Sequence, residues 1–287
     1  MSKIILEIDP DLKGKELSAF LKENKKQLIA QKKMSVKTCE SVSYCPGYLK
    51  VTQDGALKEI GGEGIAPDAD SFLVKVAANT SMYCDSAMDV LLRDAGKKSF
   101  RERKGLIPHI HDHDWVVGAE VGEVQSIYYE DVALRDLGLK QDGSGQALIF
   151  ETEIIRSYNP MIFEKYRTKK IKQHSIGLRY VTLLLAINEP EDDYYEDEYK
   201  IWKKYIDQII NKEYVESKGY FWVVSEFMLL ENSCVLLGAN QLTPTLSTTA
   251  KSATEDQPSD DTDVLPAIPD TQTFNLSEAI KSTTFFN

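Results

Sequence analysis

The twelve residues from Ile176 to Ile187, IGLRYVTLLLAI, constrain the fold more than any other stretch of the chain. The run is rich in Val, Leu and Tyr and falls well short of the roughly 20 apolar residues that a membrane-spanning helix needs. Its length and β-prone composition predict a buried strand. A buried strand must hand its backbone hydrogen bonds to neighbours, and candidates recur along the chain at 71–77, 106–111, 121–129, 147–155, Tyr220 to Leu230 and Ser233 to Leu237. Further short strand-like pieces between Ser35 and Asn79 are broken at Pro46-Gly47, Asp54-Gly55 and Gly61-Gly62. The pieces up to residue 155 predict a mainly antiparallel sheet in that half of the chain.

Helical patterning fills the gaps. Leu17, Phe20, Leu21, Leu28 and Ile29 form an apolar stripe among lysines over residues 15–33, which fits either an arm packed on its own domain or a partner-binding helix. Asp85-Ser86 would cap a short helix from Ala87 to Asp94, ended by Gly96. Asn159-Pro160 would start another through Phe163 and Tyr166, since proline costs nothing at a first helical position. Glu189 to Glu198 carries seven acidic side chains in ten residues and reads as a solvated insertion; an amphipathic helix, Tyr199 to Lys212, follows it. After Leu246 the chain turns to Thr, Ser, Asp and Pro, too little apolar surface to offset the entropy of ordering. The expected organisation is an N-terminal arm over 1–35, a folded domain over 36–246 and a disordered tail over 247–287.

Charge and cysteine content narrow the class of function. A net charge of −11 argues against a nucleic-acid partner, which needs a basic face to neutralise phosphates. Cys39, Cys45, Cys84 and Cys234 contain no Cys-x-x-Cys, so neither a disulfide framework nor a zinc ribbon is expected. Charges interrupt the apolar pattern of the first nine residues too early for a signal peptide, and the expectation is a soluble protein made in a cytoplasm, without a membrane partner.

All four histidines fall in two motifs, His109-Ile110-His111-Asp112-His113-Asp114 and Gln173-His174-Ser175-Ile176-Gly177. Serine becomes a nucleophile when a base takes its proton, and histidine titrates in the right range for that task. Ser175 stands where a loop or helix meets the predicted buried strand, and Gly177 leaves room for a substrate backbone. The plainer reading makes Ser175 a turn residue and the His-Asp cluster a solvated loop. A third reading is a metal site: His109, His111 and His113 alternate, so on one strand they would share a face and bind zinc with Asp112 or Asp114 nearby. The order departs from the His-x-His-x-Asp-His pattern of zinc hydrolases. If the segment around Ser175 is extended, His174 points to the opposite face and is not its base.

Read in order, the His-Asp element before Val121-Gly122-Glu123-Val124, then His174-Ser175-Ile176-Gly177, then Glu231-Asn232-Ser233 closing on Gly238-Ala239-Asn240, resemble the prohead serine proteases of tailed phages over about residues 70 to 245. The resemblance implies an α+β, assemblin-like fold related to the herpesvirus maturation proteases, a mostly antiparallel β-barrel flanked by helices. It implies Ser175 as nucleophile, His113 as base with His111 as the fallback, and Glu231 as the group orienting the imidazole with Glu226 as the fallback. Oxyanion donors would lie near Gly177 or Arg179. No cofactor is implied. Substrates would be the major capsid protein and scaffold segments, cleaved inside the immature capsid in the host cytoplasm, with self-cleavage and self-association. The alternatives are a metal-dependent hydrolase using His109, His111 and His113, and a non-enzymatic capsid-assembly or scaffolding protein built around the N-terminal helix and the tail.

Overall fold

A computed structural model of the chain describes residues 6–37 and 64–250. The turns expected at Pro46-Gly47, Asp54-Gly55 and Gly61-Gly62 lie outside the described residues, as do residues 251–287 of the expected tail.

Among the described residues the architecture is α+β, organised on an eight-stranded sheet. Its strands are β1 (Ser71–Thr80), β2 (Asp89–Leu91), β3 (His109–His111), β4 (Glu120–Ala133), β5 (Ser144–Ile155), β6 (Gln173–Ile187), β7 (Tyr220–Val235) and β8 (Thr245–Ala250). The predicted run became β6, lengthened by three residues at its start, so Ser175 lies inside a strand rather than at a junction. The two segments expected around Tyr220–Leu230 and Ser233–Leu237 are one continuous strand, β7. β6 pairs antiparallel with β7 along nearly its whole length, and the other edge of β7 carries β2 and then β3, both parallel. The path continues antiparallel through β3, β4, β5, β1 and β8.

This sheet is mixed and is not closed into a barrel, which corrects the expected barrel. Between its two ends, the start of β6 and the segment before β8, there is no strand ladder; the bridge Gln173↔Pro244 and the amide of His174 donating to Thr243 O at 3.0 Å connect them. β8 also carries the sheet beyond the boundary expected at 246, because Thr248, Thr249 and Ala250 pair with β1.

Helices cover the sheet. α1 (Gly14–Glu23) buries Leu17, Ser18 and Leu21, and α2 (Lys25–Met34) buries Leu28. Asn24 separates them and donates its side-chain amide to Phe20 O at 2.8 Å, so the single stripe expected over 15–33 is two helices. α3 (Lys97–Glu102) follows Gly96. The helix expected over 87–94 is absent: Asp85 Oδ1 instead accepts the amides of Ala87 and Asp89, turning the chain so that β-branched Val90 joins β7. α4 (Pro160–Arg167) starts as expected, with Asn159 Oδ1 accepting the Ile162 amide at 3.1 Å. α5 (Glu196–Tyr205) and α6 (Lys212–Lys218) replace the single helix expected over Tyr199–Lys212.

The acidic insertion is not uniformly solvated. Glu196, Asp197 and Glu198 occupy the first turn of α5, where the helix dipole favours negative charge. Glu198 is fully buried and meets Lys22 of α1 and Lys25 of α2, each at 2.5 Å. A second charge cluster fastens the chain after α2. Lys32 contacts Asp89 Oδ1 at 2.7 Å, Lys37 contacts Asp89 Oδ2 at 2.6 Å and also Asp85, and the Tyr180 hydroxyl donates to Asp89. The Lys37 amide donates to Leu178 O at 2.9 Å, so the segment leaving α2 lies along β6. Burial lowers Lys37, but Asp85 and Asp89 outweigh it and hold the ammonium well above its ordinary value. Burial likewise opposes ionisation of Asp89, yet Lys32 and Lys37 hold its carboxyl at about 2.

Removing one partner from such a cluster strands buried charge, which costs about 3–5 kcal/mol. Lys37→Met should therefore lower unfolding free energy by that amount in urea titrations. Lys33→Met, at an exposed position on α2, should change it by no more than about 0.5 kcal/mol. Equal losses in the two variants would refute the network as the anchor of this segment.

Candidate functional site

The β6–β7 register assembles one polar face. Ser175 stands opposite Ser233, and Gly177 stands opposite Glu231. Directly opposed residues of an antiparallel pair share a face, and so do residues two apart, so the side chains of Ser175, Glu231 and Ser233 project the same way. Gly177 completes that face by having no side chain: a Cβ there would stand 2.3 Å from Glu231 Oε1. The space expected for a substrate backbone is instead the space taken by Glu231.

His113 reaches this face from the turn after β3. Its Nδ1 lies 2.7 Å from Glu231 Oε1, and its amide donates to Ser233 Oγ at 3.0 Å. The Ser233 hydroxyl donates to Glu231 Oε2 at 2.8 Å, so both carboxylate oxygens accept a hydrogen bond. Because Glu231 only accepts, His113 carries its proton on Nδ1 and presents the Nε2 lone pair. That nitrogen is buried and meets no hydrogen-bond partner among the described residues. Ser175 is 6% exposed and borders a small opening shared with Lys37, Asn79 and Asn240. Ser175 Oγ and His113 Nε2 form no hydrogen bond with each other.

Backbone geometry delivers the imidazole. Asp112 and His113 both have left-handed φ, 51° and 56°, which costs on the order of 1 kcal/mol for each non-glycine residue. The turn is held by the Asp112 amide on Cys234 O, the Asp114 amide on His111 O, both at 3.0 Å, and the His113 amide on Ser233. Upstream, β3 reaches its place because Gly122 pairs with His109; a Cβ on Gly122 would meet Glu153 O at 1.9 Å.

The three clustered histidines do not share a face, which corrects the expectation behind the metal reading. The strand stops at His111, and the left-handed turn sends His113 elsewhere. His111 Nδ1 contacts its neighbour Asp112 at 3.2 Å. His109 is fully buried with both ring nitrogens engaged, by Thr152 Oγ1 at 2.9 Å and by the Tyr166 hydroxyl at 3.1 Å. Among the described residues no group of three His, Cys, Asp or Glu side chains converges as a metal would require. The fallback Glu226 lies on β7 five residues before Glu231, about 16 Å along an extended strand, and contacts Lys98 at 3.1 Å. Arg179 is exposed beyond the site. Ser233, quoted only as part of a motif at the sequence level, is the residue whose position in the site was missed; its spacing of two from Glu231 on a strand was the available signal.

His174 occupies the opposite face of β6 in a buried polar chain. Its Nδ1 donates to Thr243 O at 3.1 Å, since a carbonyl only accepts, and its Nε2 then accepts from the Tyr166 hydroxyl at 2.8 Å. The Tyr166 oxygen accepts from His109 Nε2–H, leaving His109 Nδ1 to accept from Thr152. Each proton is used once, and both rings are neutral. Burial pushes His174 down to about 4 and His109 well below its ordinary value. Between about pH 4 and 6.5 the unfolded chain binds more protons at His174 than the folded one, so stability is complete above 6.5 and falls as pH drops through 4. His174 alone should account for roughly 3 kcal/mol of that loss, read as unfolding free energy against pH. Imidazole ¹⁵N signals of His109 and His174 should remain those of neutral rings at pH 5; a charged ring at either position there would refute the assignment.

Comparison of the chain with protein-family models, with curated proteins and with solved structures finds no match.

Proposed function

We propose that this chain is a serine endopeptidase, with Ser175 as nucleophile, His113 as general base and Glu231 as the carboxylate that orients the imidazole. The observation that carries the reading is the His113–Glu231 pair, with a buried, unpartnered Nε2 on the face that also holds Ser175. Ser175 Oγ would attack the carbonyl carbon of a peptide while its proton passes to His113 Nε2. The C–N bond would break as that proton moves to the departing amine, leaving an acyl-enzyme that water hydrolyses by the same route. Glu231 would stabilise the transient imidazolium without taking its proton. His111 and Glu226 are the poorer choices because they contact Asp112 and Lys98 rather than each other or the Ser175 face.

The biological setting rests on the motif resemblance. In it the protein processes the major capsid protein and scaffold segments, and itself, inside the immature phage capsid in the host cytoplasm, within an assemblin-like relationship of folds. Exposed Trp115, Val116 and Val117, in the segment leaving His113, suit contact with a polypeptide substrate. A metal-dependent hydrolase finds no converging ligand set among the described residues. A purely scaffolding role leaves the buried His113–Glu231 pair without a purpose.

Mass spectrometry of the protein coexpressed with its capsid protein tests the reading. Ser175→Ala should abolish cleavage of both chains with the fold retained; persistence of the same cuts would overturn the serine mechanism. Gly177→Ala should displace the Glu231 carboxylate and slow cleavage by about a hundredfold, the usual consequence of an ångström-scale misplacement. An unchanged rate in that variant would argue against Glu231.

A further inference from the structure

The proposed triad leaves one buried hydroxyl of the site without a role. Ser233 is fully buried and opposite the nucleophile, yet it faces inward to the machinery rather than outward to substrate. Its oxygen accepts the His113 amide at 3.0 Å, and its proton goes to Glu231 Oε2 at 2.8 Å. One hydroxyl thus ties down the backbone of the base and the carboxylate that orients it. Neither tie duplicates another. The His113 amide belongs to a left-handed residue whose conformation needs an external acceptor, since the strand pairing that would have supplied one ended at His111. The carboxylate of Glu231, fixed at Oε1 by the imidazole alone, would be free to turn about its last bond.

We infer that Ser233 is a positioning residue that sets the tautomer and aim of His113. It does so by clamping the Glu231 carboxylate with its proton and the Asp112-His113 turn with its lone pair. Removing the hydroxyl frees both at once. Glu231 then rotates, the imidazole samples the Nε2–H tautomer, and the lone pair that must receive the Ser175 proton is lost for part of the time. Threonine keeps the hydroxyl and suits a strand, so it retains the clamp. The inference deepens the proposed serine mechanism and rests on it for its catalytic consequence, while the tautomer of His113 can be read without any substrate.

Two measurements on the full-length protein test it. Imidazole ¹⁵N spectra at neutral pH should show His113 in the Nδ1–H tautomer in the wild type and in Ser233→Thr, and a mixture of tautomers in Ser233→Ala. The rate at which a fluorophosphonate probe labels Ser175 should fall about tenfold to a hundredfold in Ser233→Ala and recover in Ser233→Thr. In a Glu231→Gln background, adding Ser233→Ala should slow labelling little further, because the two residues act as one unit. An unchanged His113 tautomer in a folded Ser233→Ala protein would overturn the inference, as would losses in the two backgrounds that multiply. Failure of the proposed function has a different signature: the wild type would not be labelled at Ser175, while the tautomer comparison would still judge Ser233.

Discussion

The antiparallel register between β6 and β7 is the constraint on which the site depends. Fourteen residue pairs span it, from Gln173↔Val235 to Ile187↔Tyr220. A slip by one residue would turn Ser175 to the other face and put His174 in its place. The register is well specified because both faces of β6 are committed near its start. One face carries Ser175 and Gly177 against Glu231 and Ser233; the other carries His174 against Tyr166 and Thr243. The extra residue, Leu230, that β7 carries between its partners for Leu178 and Gly177 is a bulge beside the site, a place where such irregularities re-aim side chains.

Three buried carboxylates share one pattern. Glu198, Asp89 and Glu231 are all fully buried carboxylates, and each is met at both oxygens. The partners differ in kind. Glu198 and Asp89 are held by lysines, which neutralise charge and fasten the N-terminal helices to α5 and to β2. Glu231 meets no ammonium among the described residues; its partners are an imidazole nitrogen and a hydroxyl. A carboxylate placed in that way remains able to stabilise a positive charge when one forms on the imidazole, and a salt bridge would already have spent that capacity.

Much of the sheet was legible because its strands are long and β-prone, and because Asn159-Pro160 and the turn residues punctuate them. The failures have local causes. The stretch 85–96 reads as a capped helix, but the Asp85 side chain competes with helix formation by bonding the amides of Ala87 and Asp89. The 15–33 stripe conceals a break because Asn24, an acceptable helix residue, leaves the helical conformation while its side-chain amide turns back to Phe20 O. Closure of a barrel could not be read at all. It depends on whether β8 meets β6, and that question is decided by a few contacts near Pro244 far apart in sequence.

The histidine cluster shows why site residues are harder to read than strands. Alternation of His109, His111 and His113 implies a shared face only while the chain stays extended, and the strand ends after three residues. Two consecutive left-handed residues, neither of them glycine, then redirect the backbone. Aspartate tolerates that conformation better than most side chains, but nothing in His-Asp-His-Asp requires it. What sustains it is supplied from β7 by Cys234 and Ser233, about 120 residues later in the sequence. The same contact that makes the turn possible also places the imidazole against Glu231. Strain and alignment therefore have one origin, and the geometry of His113 becomes visible only when the strand that supports it is in place.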